Sequence, residues 1–286
     1  MSAPYAAGLR GRGCQLDLRR PCMMGILNVT PDSFSDGGRF QTVDKAVRQG
    51  MQLLEEGACL LDIGGESSRP GAQPVSTAEE LKRILPVIEG LRQKTDLPLS
   101  IDTNKATVAR EAIAAGANFI NDISGLNFDP GMAAVAAETG AGLFLMHTRG
   151  RPEVMQQNIS YRNLLTEVID SLRLSLERAL IAGVEQSQLA VDPGIGFGKS
   201  AEGNLELLHH LEKLHQLNYP VLLGTSRKSF LGTILNLEDP LERLSGTLAT
   251  VALGVSQGVQ IFRVHDVRQA KEAALVAWAI REQCLP

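Results

Sequence analysis

Leu97-Pro-Leu-Ser-Ile-Asp-Thr103 is a short apolar run that ends in polar residues. Lys105–Ala115 then carries a helical pattern and stops at Gly116, and Phe119-Ile-Asn-Asp-Ile-Ser124 is apolar again. Continuous apolar runs, rather than alternating ones, suit strands buried on both faces of a parallel sheet. Two such strands joined by a helix make one βαβ unit.

Outward from this unit the pattern repeats. Further apolar runs lie at Met23–Val29, Cys59–Gly64, Gly142–His147, Leu189–Pro193, Val221–Ser226 and Val259–His265. Helical patterns fill the intervals at Val43–Glu56, Thr77–Lys94, Met132–Thr139, Tyr161–Ala182, Leu205–Leu217, Leu241–Ser256 and Val267–Arg281. Thr42 precedes the first of these, and Gly57 and Gly183 follow two of them, as start and stop signals. The polar strand ends recur about every 34 residues, the length of one βαβ unit. Eight strands alternating with eight helices predict an α/β chain folded as a single (β/α)8 TIM barrel over residues 23–286. An open doubly wound sheet is the competing arrangement. Residues 1–22 are read as an N-terminal extension or edge hairpin.

Composition narrows the class. The chain has 286 residues, 44% of them hydrophobic and 21% charged, which suits one barrel with a sizeable core. The net charge of −4 and the absence of a basic block argue against a nucleic-acid binder, and 4% aromatics argue against a stacking platform. No apolar run approaches a membrane span, and the Arg-rich start lacks the apolar segment of a secretory signal. Cys14, Cys22, Cys59 and Cys284 form no CxxC and read as reduced thiols of a cytoplasmic protein.

In such a barrel the active site forms at the carboxyl ends of the strands. Asn28, Asp62, Asp102, Asn121, His147, Asp192, Lys228, Arg263 and His265 stand there. Closure makes the first and last strands neighbours, so Asn28 lies beside Arg263 and His265, which share one side of their strand. That trio suits a phosphate-like anion with a bound cation. The alternative is a structural salt bridge from Arg263 to Asp266 or Asp62. Asp102, Asn121, Asp192 and Lys228 form a second group, suited to a flat heterocycle with adjacent N–H donors. Metal binding by Asp102 and Asp192 is its rival. Asn28–Gly38 and Gly64–Gly71 mix turn formers with hydroxyls and charges, as a mobile lid would. Pro193-Gly-Ile-Gly-Phe-Gly-Lys-Ser200 fails the Walker A spacing. His209, His210 and His215 read as a solvated helix flank, His147 as a site wall or a satisfied core imidazole, and Trp278 as core.

Taken together, Met24–Gly38, Asp62–Gly71, Ser100–Lys105, Ile120–Gly125, Val191–Lys199, Ser226–Phe230 and Arg263–Asp266 resemble the dihydropteroate synthase family, in its order and from about Met23 to the C-terminus. The resemblance implies transfer of 6-hydroxymethyl-7,8-dihydropterin from its diphosphate to the amine of 4-aminobenzoate, with Mg2+ as cofactor. It assigns the pterin to Asp102, Asn121, Asp192 and Lys228, and the diphosphate to Asn28, Arg69, Arg263 and His265, with Asn28 toward the metal. It assigns aminobenzoate to Phe34, Ser67, Ser68, Pro70, Phe197 and Ser229. Asp36, Lys228, Arg263 and His265 become the catalytic set, and a homodimer through the last helices is implied. The sequence departs from the family at Ser68, where Thr is usual, and at Thr148, where Met is common. A pterin-binding methyltransferase-type barrel and a non-catalytic pterin-binding paralogue are the rival readings.

Overall fold

The computed structural model describes residues 8–30, 39–69, 71–157 and 159–285; the side chains of residues 39–41 lie outside that description. Strands β1 (Gly8–Gly11) and β2 (Cys14–Asp17) form an antiparallel hairpin. Eight parallel strands follow: β3 (Cys22–Asn28), β4 (Leu60–Gly64), β5 (Leu99–Asp102), β6 (Phe119–Asp122), β7 (Gly142–Met146), β8 (Leu189–Asp192), β9 (Leu222–Leu223) and β10 (Ile261–Val264). Their order is β8-β7-β6-β5-β4-β3-β10-β9, and a parallel bridge from Val191 to Val221 joins the two ends into a barrel. The closed sheet excludes the open doubly wound alternative.

The helices among the described residues are α1 (Arg39–Glu55), α2 (Thr77–Arg92), α3 (Ala106–Ala114), α4 (Met132–Thr139), α5 (Leu164–Ile181), α6 (Ala201–His209), α7 (Ser229–Leu235), α8 (Leu244–Ser256) and α9 (Val267–Glu282). Two differ from expectation. The stretch expected as one helix over 205–217 divides at His210 into α6 and a 3-10 segment, Leu211–Leu217, that ends on left-handed Asn218. In addition, β9 is followed by a short helix, α7, before α8, so eight strands carry nine helices among the described residues. None of these helices is long and apolar enough to cross a membrane.

Side-chain alternation divides the barrel interior into two layers. Met24, Leu60, Phe119, Phe144, Ala190, Leu222 and Ile261 form one buried apolar cluster, a residue from each of seven strands. Two residues further along, on the same inward side, stand Asp62, Asn121, Met146, Asp192, Gly224 and Arg263, with Asp102 from β5. The sheet's outward residues pack with the helices in a separate, larger core. An apolar floor thus lies beneath a polar mouth.

The hairpin plugs the floor. Leu9 is fully buried and Leu16 nearly so, both in the cluster with Phe119 and Phe144. Arg12 ties the plug down through its backbone N–H to the Asn118 carbonyl at 3.0 Å and its side chain to the Ile113 carbonyl at 2.7 Å. Gly11 is required there, because a Cβ would sit 2.6 Å from the Phe119 ring. Leu9→Ala leaves a cavity under the barrel and is expected to cost about 2–5 kcal/mol in denaturant unfolding. Ligand affinity at the far mouth should not change; an unaltered midpoint would show the plug to be dispensable.

Candidate active site at the carboxyl ends of the strands

Arg263 on β10 stands at the centre of the mouth. Its Nε donates to Asp62 Oδ2 at 2.6 Å and its Nη2 to Asp102 Oδ2 at 2.6 Å. Asp62 Oδ2 also accepts from Asn121 Nδ2 at 2.9 Å. Asp62 is wholly buried and Asp102 and Asn121 are buried. Burial opposes the charge of Arg263, but Asp62 and Asp102 outweigh it and push the guanidinium's pKa further up. The two groups read from the sequence are therefore one network, with Arg263 belonging to both. Of the two structural partners weighed for Arg263, Asp62 is the one it takes; Asp266 instead pairs with Arg227, at 2.6 Å.

Asp192 and Lys228 face this network from the other side. Asp192 Oδ1 accepts the Gly194 N–H at 2.7 Å. Burial raises its pKa to about 6 against the pull of that hydrogen bond and of Lys228. Asp102 is raised by burial too, with Arg263 opposing and Asp62 reinforcing. Lys228 Nζ lies 4.0 Å from the centre of the Phe197 ring, and burial, then Arg263, lowers it to about 8. Gly224 lies between Arg263 and Asp192; a Cβ there would be 3.8 Å from one side chain and 3.9 Å from the other.

His265 is held by Ser226. The His265 backbone N–H donates to Ser226 Oγ at 3.2 Å, and Oγ lies 3.0 Å from the ring Nδ1. The hydroxyl can thus donate to Nδ1 and leave Nε2–H as an outward donor. Burial, then Arg227, Arg263, Arg69 and Lys228, lowers the imidazole's pKa to about 3. His265 is consequently a neutral donor here, and the positive charge comes from the arginines and Lys228. Asn28 Oδ1 and Asp102 Oδ2 flank Gly64, 3.7 and 3.6 Å from the position a Cβ would take.

Lys199 explains the loop that fails the Walker pattern. Its buried Nζ donates to the carbonyls of Gly194 and Phe197, both at 2.9 Å, and sits 2.9 Å from His147 Nδ1. The lysine faces inward and shapes the loop that carries Phe197. Gly194, at φ +68°, presses directly on the His147 carbonyl, so a side chain there has no room. His147 is the satisfied core imidazole of the two readings, lowered to about 3 by burial and then Lys199. His215 departs from the solvated flank expected of it: it is half-buried, with Nε2 2.7 Å from the Gln257 carbonyl.

The second loop is anchored rather than loose at its roots. Lys105 Nζ bridges Glu66 and buried Glu80, each at 2.5 Å. Glu66 also accepts the Val75 N–H at 2.7 Å, and the Gly71 N–H donates to the Pro152 carbonyl at 3.0 Å. Ser67 and Ser68 line a small cavity with Glu66, Glu80, Asp102, Thr103, Asn104 and Ile123. Sequence reasoning missed this ion cluster. Its signal was Glu80, an acid on the buried α2 face of Ile84, Val87, Ile88 and Leu91. Ser229 is exposed at the start of α7. Phe34, Asp36 and Pro70 lie outside the described residues.

Comparison with known proteins settles the family. Residues 24–265 match the family described as "Pterin binding enzyme". The dihydropteroate synthase of Synechocystis sp. is 48% identical over 262 residues, covering 92% of this chain and 91% of that protein. The chain belongs to the dihydropteroate synthase family. The solved Xanthomonas albilineans dihydropteroate synthase with 4-aminobenzoic acid superposes with a TM-score of 0.91, at 45% identity, covering 99% of this chain and all of that one. The Yersinia pestis dihydropteroate synthase with a sulfonamide drug complex gives a TM-score of 0.90 at 47% identity, covering 96% and 99%.

The raised carboxyl group of Asp192 has a measurable consequence. An acid raised in the fold contributes stability that is fully present below its ordinary value near 4, and that is lost as pH rises through about 6. N–H donors placed against it reverse the shift. Calorimetry near pH 6 in buffers of different ionisation enthalpy is therefore expected to show proton release when a pterin binds, diminishing above pH 8. Buffer-independent heats at pH 6 would mean that Asp192 does not meet the ligand.

Proposed function

We propose that this chain is the transferase that condenses 6-hydroxymethyl-7,8-dihydropterin diphosphate with 4-aminobenzoate, giving 7,8-dihydropteroate and pyrophosphate. The observation that carries this reading is the juxtaposition, through Arg263, of hydrogen-bonding carboxylates and an amide with a cationic, anion-binding flank. Asp102, Asn121, Asp192 and Lys228 take the pterin ring. Asn28, Arg69, Arg263 and His265 take the diphosphate. Aminobenzoate lies against Phe197, Ser67, Ser68 and Ser229, with Phe34 and Pro70 from the two loops.

An aryl amine is nucleophilic while neutral, so no general base is required. The displacement is dissociative: the C–O bond from the pterin methylene to the diphosphate breaks ahead of N–C bond formation, and the amine's surplus proton passes to solvent. Arg263, with Nε2–H of His265, stabilises charge growing on the departing oxygens. Lys228, whose Nζ lies over the Phe197 ring, fixes the pterin, and Asp36 favours positive charge developing on the methylene.

The residues present fit Mg2+ carried on the substrate. Among the described residues no cluster of three His, Cys, Asp or Glu could hold a metal alone. Asn28 Oδ1 instead offers one hard oxygen beside the mouth, and Mg2+ commonly completes its shell with phosphate oxygens and water. When bound, the ion neutralises diphosphate charge. A cytoplasmic location accords with the unpaired cysteines, Cys14, Cys22, Cys59 and Cys284. A homodimer accords with exposed Val276 and Ile280 on α9, with Ile234 on α7 and Leu241 just before α8.

The direct test supplies both substrates with Mg2+ and follows the products. One pyrophosphate per dihydropteroate is expected. Pterin binding without turnover would favour the non-catalytic paralogue. Arg263→Met is expected to weaken pyrophosphate at least tenfold, the scale of one lost charge-assisted pair.

Order of binding is a further expectation. Aminobenzoate has few atoms with which to offset its ordering cost, and bound pterin diphosphate supplies both a neighbouring surface and its charge. Calorimetry is expected to detect aminobenzoate only when pterin diphosphate, or pyrophosphate with Mg2+, is present. Tight binding to the free protein would show a preformed second site.

A further inference from the structure

We infer that Asp62 is a positioning residue that fixes which way round Asn121 presents its amide to the pterin, and so sets which heterocycle the barrel accepts. The inference rests on the pterin reading of the mouth. Asp62 is wholly buried, and one oxygen, Oδ2, accepts from both Arg263 Nε and Asn121 Nδ2. Paired with a guanidinium, that carboxylate can only accept, so the Asn121 nitrogen must turn toward it. The amide's second N–H and its Oδ1 are thereby assigned fixed ends of the edge that faces the ligand. An amide free to flip would offer the mirror-image order of donor and acceptor and admit heterocycles of the opposite pattern.

Asp62 Oδ1 is buried as well, without a hydrogen-bond partner among the described residues. The register places Asp62 beside Ser100 and one strand away from Ile26, so no other carboxylate can take its place on β3 or β5 at that height. Asp102 lies two residues further along its strand and is already engaged by Nη2 of Arg263.

Asp62→Leu is the test, because an aliphatic side chain of similar size removes the oxygen that Arg263 and Asn121 share and permits the flipped amide. Affinities are measured for 6-hydroxymethylpterin and for its analogue in which oxygen replaces the 2-amino group. The parent protein is expected to prefer the pterin, and Asp62→Leu to shrink that preference at least tenfold. Parent protein that does not bind pterin would refute the functional reading itself. Parent-like discrimination in a folded Asp62→Leu would overturn the role given to Asp62. If the variant fails to fold, the side-chain amide of Asn121 in the parent, identified by its loss in Asn121→Asp, decides. A scalar coupling across the hydrogen bond from Asn121 Nδ2 to the Asp62 carboxylate carbon is expected without ligand, and its absence would overturn the inference.

Discussion

Arg263 bonded to two buried carboxylates, Asp62 and Asp102, is the interaction on which the mouth depends. Three charges in a barrel interior are costly unless paired with good geometry. Here a single guanidinium uses two different nitrogens on two strands, and Asn121 shares the Asp62 oxygen from a third. The network spans β10, β4, β5 and β6, so the pterin-facing and diphosphate-facing groups cannot be positioned independently. Neutral His265 completes that side as a hydrogen-bond donor, and half-buried Lys228 as a further cation.

The rest of the fold makes that network possible. The apolar floor of Met24, Leu60, Phe119, Phe144, Ala190, Leu222 and Ile261, plugged by the β1–β2 hairpin, keeps water from reaching the charges from below. Strand alternation then lifts the polar layer by two residues without any change of direction. Loops do the remaining placement: Lys199 draws in the carbonyls that aim Phe197, and Lys105 with Glu66 and Glu80 anchors the loop bearing Ser67 and Ser68.

Much of this was legible in the sequence, for identifiable reasons. Doubly buried strands read as continuous apolar runs, and their polar ends marked Asp102, Asn121, Asp192 and Arg263 as mouth residues. Arg-x-His fixed a shared side but carried no information on distance, so the partner Arg263 chooses was open between Asp62 and Asp266. β9 has only two residues, and α7 is a seven-residue helix with Gly232 at its centre, too short for periodicity to register. Lys199 gave no signal because a cation after glycines resembles a phosphate loop whichever way it points. The burial of His215 depends on Gln257, 42 residues away, which no local pattern reveals.

Stability of Arg263→Met against pH tests the central claim most directly. Removing the guanidinium strands Asp62 and Asp102 in the barrel, so a loss of about 3–5 kcal/mol is expected at pH 8. Most of it should return at pH 5, where burial lets Asp102 take up a proton. A variant as stable as the parent at pH 8, or a loss that ignores pH, would contradict the account.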